Sequence, residues 1–116
     1  VWPLLSVRSA TIGSMVQHVF RARVWEHSPG DPGSWHFLTV PAELSEDLAL
    51  EAGPPAGFGS IRVEVTVGAT TWRTSLFPDS AAGSYVLPLK KQVRRSEGLA
   101  AGDACDVRLE VIEGGA

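Results

Sequence analysis

Residues 61–76, IRVEVTVGATTWRTSL, constrain the fold of this chain more than any other stretch. Ile61, Val63, Val65 and Val67 alternate with Arg62, Glu64 and Thr66, the period-two pattern of a strand with one dry face. Gly68-Ala69 is a Gly-X pair suited to a two-residue type II′ turn, whose twist matches that of the strands it joins. Such a turn sets the register. Val67 faces Thr70, Val65 faces Trp72, Val63 faces Thr74 and Ile61 faces Leu76 on one side. On the other side Thr66 faces Thr71, Glu64 faces Arg73 and Arg62 faces Ser75. Val packs well against Trp, and Glu opposite Arg is favourable. A three-residue turn would shift the phase and set apolar residues opposite charges.

The same logic extends along the chain. Residues 18–26 alternate Phe20, Ala22 and Val24 against Arg21 and Arg23, a first strand that leaves Trp25 on the phase opposite to Phe20. Residues 28–34 hold Ser, Pro, Gly and Asp in a run that reads as a loop, and residues 35–40 form a second strand. Pro41 suits the first position of a helix over 42–52, with Glu43, Glu46 and Asp47 near its positive end and Leu44 and Leu48 on one face. Gly53-Pro54-Pro55 cannot continue that helix. Residues 78–83 read as a turn, and 84–89 as a strand whose Pro88 marks an edge or an end. A short helix over 90–96 stops at Gly98, and Gly102-Asp103 turns into a last strand over 104–112.

With 116 residues, 44% hydrophobic and 20% charged, the chain has room for one core. The expected fold is therefore mainly β: a small antiparallel barrel of about six strands with two short helices. The composition changes at Gly13-Ser14-Met15, and Met15 reads as a natural start. Residues 1–14 are then a translated leader or expression remnant, expected to be disordered and set aside; 15–113 form the single domain and 114–116 a frayed tail. The formal net charge of -3 offers no general basic footprint for a nucleic acid. The single cysteine, Cys105, cannot close an internal disulfide, which fits a reducing, cytoplasmic setting. No apolar run approaches the roughly 20 residues of a membrane-spanning helix.

Several strings carry a resemblance to a known family. They are Trp35-His36-Phe37-Leu38-Thr39-Val40-Pro41, then Arg73-Thr74-Ser75-Leu76-Phe77-Pro78, then Gly83 to Lys90 (GSYVLPLK) with Arg94, and Gly98-Leu99 ahead of Gly102-Asp103. In this order they resemble domain-of-unknown-function family 1905. The resemblance implies a double-split β-barrel, a scaffold shared with swapped-hairpin transcription regulators of the AbrB type. The stretch 87–95 (LPLKKQVRR) with Gly98-Leu99 and Gly102-Asp103 also looks like the strand-helix-turn-strand signature of those regulators. A shared scaffold does not carry an activity with it.

The candidate chemistry lies on the polar hairpin face. Arg62, Arg73 and Ser75, joined by Lys90 and Arg94, could grip a carboxylate or phosphate, since guanidinium groups bind such anions through paired hydrogen bonds. The simpler account is a solvated face with a Glu64–Arg73 pair worth under about 1 kcal/mol. Trp35, Phe37, Trp72, Phe77 and Tyr85 are either core or the lining of an apolar pocket at the barrel mouth. Lys90, Lys91, Arg94 and Arg95 make one helix face basic, without interleaved aromatics. His18, His27 and His36 have no metal-site spacing, and no cofactor is expected. Cys105 reads as a small core residue. No Ser–His–Asp arrangement or hydrolytic carboxylate pair can be assigned. The leading expectation is a module binding a small anionic or mixed-polarity ligand at Arg62, Arg73, Ser75, Trp35, Tyr85, Lys90 and Arg94. The alternatives are a DNA-associated regulator, by fold analogy, and an enzyme of unknown type.

Overall fold

The computed structural model describes residues 7–12, 15–30, 35–52, 59–79 and 83–113. These form β1 (Val7–Ile12), β2 (Met15–Arg23), β3 (Trp25–His27), β4 (Trp35–Thr39), α1 (Ala42–Ala52), β5 (Ile61–Val67), β6 (Thr70–Asp79), β7 (Ser84–Leu89), α2 (Lys91–Glu97) and β8 (Ala104–Glu113). The strands make one sheet in the order β1-β2-β8-β5-β6-β7-β4-β3, with every neighbouring pair antiparallel.

That order explains the curl. β2 sits beside β8 and β3 ends the far side of the sheet beside β4, yet only Val24 separates β2 from β3 in sequence. A flat sheet cannot meet this demand, so the β3 end must swing back to β2 as in a barrel. Val24 is pinned at the join: its N–H donates to the Asp103 carbonyl at 2.8 Å and its carbonyl accepts from the Gly102 N–H at 2.7 Å. β6 makes a similar passage, since residues 70–76 pair with β5 and residues 77–79 pair with β7.

All seven pairs of the β5–β6 hairpin fall in the register that the two-residue turn dictates. Gly68 has a φ of 58°, and Ala69 is not among the positive-φ residues, which is the type II′ pattern. Ile61, Val63, Val65, Val67 and Leu76 are buried by that register, and Trp72 packs against them. Phe20, Leu38, Leu44, Leu48, Leu87, Val107 and Leu109 complete a core inside the curl, each at 1% exposure or less. Each such side chain contributes about 1.5–3 kcal/mol through burial.

α1 and α2 close the structure. Leu44 and Leu48 bury one face of α1, while Leu50, on the opposite face, is 82% exposed. α2 ends in a Schellman motif: Gly98 is left-handed at φ 64°, its N–H donates to the Arg95 carbonyl, and the Leu99 N–H donates to Arg94 at 2.9 Å.

The mainly β, antiparallel fold with two short helices is the expected one, and the described residues carry eight strands where about six were expected. One extra strand arises because the expected strand over 18–26 is broken at Val24, where the chain changes partners from β8 to β4. The other is β1, set aside as leader, whose residues pair with β2 from Val7↔Phe20 to Ile12↔Met15. The turn expected at 78–83 starts later, because Pro78 and Asp79 still pair with Tyr85 and Ser84. β6 has left β5 by then and pairs on one side only, where a ladder tolerates proline. The expected loop residues 31–34, the helix stop and loop at 53–58, turn residues 80–82, leader residues 1–6 and 13–14, and the tail 114–116 lie outside the described residues.

Candidate functional site

The polar hairpin face forms as its register requires. The Arg73 Nε lies 3.4 Å from Glu64 Oε2, with the Arg73 side chain 67% exposed, and Arg62 is exposed beside it. Arg62, Arg73 and Ser75 line none of four cavities whose walls are described residues. The exposed Glu64–Arg73 pair is the one that the simpler, solvated-face account expects.

The other sequence-named residues are dispersed. Trp35 is 60% exposed and stacks on Phe37, with ring centroids 6.2 Å apart and planes 12° from parallel. Trp25 meets Phe37 from β3 at 5.0 Å, and its indole N–H donates to Thr39 Oγ1 at 2.9 Å. Register places these rings with Pro88, Val86 and Phe77 on the outer side of β3, β4, β7 and β6, opposite buried Leu38 and Leu87. Trp35 and Phe77 are therefore outside the core, and Trp72, on the inner side, is separated from them by the sheet. Arg94 turns back on its own chain, its Nε donating to the Leu89 carbonyl at 3.4 Å. Lys90 lines a cavity of about 200 Å³ between α2 and β6 with Trp72, Gln92, Val93 and Ser96. The Trp72 indole N–H is buried there without a partner.

Tyr85 leads to a different place. The β4–β7 ladder pairs Thr39 with Val86, and one step further the Val40 N–H donates to the Tyr85 carbonyl at 2.9 Å. There the chain turns into α1, so β4 has no further group for the Tyr85 N–H. Ser45, one turn into α1 and 4% exposed, takes it: its hydroxyl accepts from the Tyr85 N–H at 3.2 Å and donates to the Val40 carbonyl at 3.4 Å. Because Tyr85 directs both backbone groups towards β4, the opposing Pro78 has its nitrogen turned away from β7.

At this seam between strand and helix lies a cavity of about 280 Å³. Ser45, Glu46 and Ala49 come from α1, Pro78 and Asp79 from the end of β6, and Gly83, Ser84 and Tyr85 from the start of β7. Ala49, Pro78 and Tyr85 supply apolar wall; Glu46 supplies a carboxylate at the exposed rim. Ser84 is 8% exposed and its hydroxyl is buried without a hydrogen-bond partner, although Asp79 sits directly across the ladder from it. An unmet buried hydroxyl costs about 1–3 kcal/mol, and register puts the Ser84 and Asp79 side chains in phase with Val86 and Phe77, on the face opposite Tyr85 and Pro78. Of the seven sequence-named residues only Tyr85 belongs here. Ser45, Glu46, Asp79 and Ser84 were missed because no local spacing joins them.

A profile of the DUF1905 family, a domain of unknown function, matches residues 20–109. The chain belongs to this family. No curated protein matches it. The DUF1905 match runs from Phe20 in β2 to Leu109 in β8 and so takes in every element that lines the seam cavity.

The histidines of this DUF1905 domain are dispersed. His18, 2% exposed in β2, places Nε2 2.7 Å from Glu51 Oε1 and so ties the end of α1 to the sheet. His36 lies 3.9 Å from Glu26. Among the described residues no group of three His, Cys, Asp or Glu side chains is placed to hold a metal. Burial pushes the Cys105 thiol above its ordinary range, and the charge of Asp106 adds to the effect. Among the described residues no helix is long and apolar enough to cross a membrane.

Proposed function

We propose that this DUF1905 domain is a small-molecule binding module whose site is the cavity between α1 and the β6–β7 hairpin. The observation that carries this reading is the cavity itself, walled by Ser45, Glu46 and Ala49 of α1 and by Pro78 and Tyr85 of the two strands. The ligand is of mixed polarity: an apolar body lies against Ala49, Pro78 and Tyr85, and a polar group meets the exposed Glu46 at the rim. At about 280 Å³ the cavity holds a compact molecule, at the lower end of the sizes usual for ligand sites. The two arginines of the hairpin face lie on a separate surface and do not line this cavity.

The test is to narrow the cavity without touching its polar groups. Ala49 is partly buried in the wall, so Ala49→Trp fills the space from the helix side. A small-molecule library is screened by thermal shift on the parent and the variant. Compounds that raise the melting temperature of the parent and leave that of Ala49→Trp unchanged support the site. Hits that stabilise both equally refute it.

A second reading, an anion held between α2 and β6, draws on Lys90 and the unpartnered Trp72 indole N–H. The DNA-associated alternative draws only on Lys90, Lys91, Arg94 and Arg95, and Arg94 is already engaged with Leu89.

A further inference from the structure

The seam cavity leaves another surface unused, the outer side of β3, β4 and β7 with the end of β6. Three of the four large hydrophobic side chains exposed among the described residues, Trp25, Trp35 and Phe77, stand there, where a solvated antiparallel face is ordinarily polar. Phe37 joins the two indoles: its ring lies 5.0 Å from that of Trp25 and 6.2 Å from that of Trp35, at 12° from parallel to the latter. The row is held in place, since β3 and β4 pair residue for residue and the Trp25 indole N–H is tied to Thr39 Oγ1 at 2.9 Å.

What such a row can hold follows from its size and charge. The exposed fractions, 60% for Trp35, 36% for Trp25 and 44% for Phe77, amount to about 300 Å² of ring surface. Two copies face to face would bury about 600 Å² of it, against the roughly 1,200–2,000 Å² of a stable interface, so these rings alone do not carry a dimer. No Asp, Glu, Lys or Arg occupies an outer position of β3, β4 or β7. A nucleic acid would find rings to stack on there but no cation among them for its phosphates. A proline-rich peptide docks in an aromatic-lined groove, whereas Trp25, Trp35, Phe37 and Phe77 line none of four cavities whose walls are described residues. The ligand that fits is neutral and flat, with an apolar side. A pyranose ring with equatorial hydroxyls is of this kind: its C–H face covers an indole while its hydroxyls stay at the rim in water, so no polar group is stranded.

We propose that the outer aromatic row binds a neutral, extended oligosaccharide, one sugar ring stacked on Trp35 and the next ones on Phe37 and Trp25. The row is separate from the seam cavity and stands whether or not that cavity binds a ligand.

Cellohexaose titrated into the ¹⁵N-labelled chain tests this at the indole N–H resonances. The expected result is saturable movement of the Trp25 and Trp35 signals, with the signal of Trp72, on the inner side of the sheet, unmoved. Trp35→Ala removes an exposed ring and should weaken binding at least about tenfold, an otherwise unchanged amide spectrum showing the fold intact. Leu50→Ala, at an exposed position on α1, should leave binding as it was. A proline decapeptide and a thymidine decanucleotide are titrated alongside, and association is followed by sedimentation. If either polymer moves the Trp25 and Trp35 signals and cellohexaose does not, the row serves that polymer and the saccharide assignment is wrong. A dimer that dissociates on Trp35→Ala overturns it in favour of a second copy. No movement with cellohexaose, or movement unaltered by Trp35→Ala, refutes it outright, while the amides of Ala49 and Tyr85 report on the seam cavity separately.

Discussion

Ser45→Ala removes the hydroxyl that ends the β7 ladder, and its cost can be worked out from the seam. Alanine keeps the helix and improves its intrinsic propensity by up to about 0.5 kcal/mol. The Ser45 N–H still donates to the Pro41 carbonyl at 2.9 Å, so the first turn of α1 is unaffected. What is lost is the partner of the Tyr85 N–H, 3.2 Å away, which the neighbouring strand cannot replace because the chain has already turned into α1. Leaving a buried amide unmet costs about 1–3 kcal/mol. The longer contact to the Val40 carbonyl adds little, at 3.4 Å. The net expectation is a loss of about 1–2 kcal/mol. For a chain of 116 residues this corresponds to a fall in melting temperature of roughly 3–10 °C. Urea unfolding followed by tryptophan fluorescence measures it directly, with an unchanged m-value showing that the seam weakens without a change of compactness. Leu50→Ala, at a position 82% exposed, is the helix control and should be neutral within about 0.5 kcal/mol. A Ser45→Ala loss no larger than the control's would mean that water in the cavity satisfies Tyr85, and the ladder-ending role of Ser45 would be refuted.

The other expectations concern the core, a cap, the charged face and the thiol. Leu48→Ala empties a fully buried position and should cost about 2–5 kcal/mol in the same urea assay; a loss under about 1 kcal/mol would contradict the packing of α1 on the core. Gly98→Ala meets no neighbouring atom, so its cost of roughly 1–2 kcal/mol comes from the left-handed backbone alone, and a neutral result would refute the cap. Arg73→Ala should change stability by less than about 0.5 kcal/mol and leave phosphate affinity unaltered by calorimetry; measurable phosphate binding lost in this variant would restore the anion site on the hairpin. For Cys105 the folded pKa is raised, so its stabilising effect is complete below the unfolded thiol's value of about 8.5 and is lost as pH climbs above that value towards the folded one. Cys105→Ala should accordingly flatten the decline in stability on the alkaline side and leave the acidic side untouched, as read from urea melts across pH.

The parts of the fold legible in the sequence were those set by local chemistry. The register from Ile61 to Leu76 followed from a two-residue turn and a period-two pattern, both within one short stretch. α1 follows from Pro41, its acidic first turn and the Leu44–Leu48 spacing, and its observed span of Ala42–Ala52 is the expected one. Val24 looked like one more inward residue of a strand, because alternation alone says nothing of which strand lies alongside. Its change of partner from β8 to β4 is decided by the return of the whole sheet on itself. Trp35 and Phe77 misled for a related reason. Aromatic residues on a strand read as core unless both faces of that strand are known, and the outer face of β4 and the end of β6 carry aromatics where polar residues would be usual.

The candidate site was hidden by the same limit, in a sharper form. Sequence reasoning examines strand and helix faces, so it found Arg62, Arg73 and Ser75, a cluster visible from alternation. The cavity arises instead where faces stop. β6 has given up β5 after Leu76, Pro78 turns its nitrogen away from β7, and β4 ends at Thr39. Three elements run out of partners within a few residues of Tyr85, and the polar groups left over are gathered by one another: Ser45 takes the Tyr85 N–H, while Ser84 is left unmet. Ser45 and Tyr85 are 40 residues apart, and nothing between them announces the meeting. A ladder end buried under a helix is costly unless something pays its hydrogen bonds. Here the chain meets the Tyr85 N–H internally through Ser45, while the Ser84 hydroxyl stays unmet on the other phase of β7, so Ser84→Ala should relieve, rather than add to, the cost of folding when read by urea unfolding.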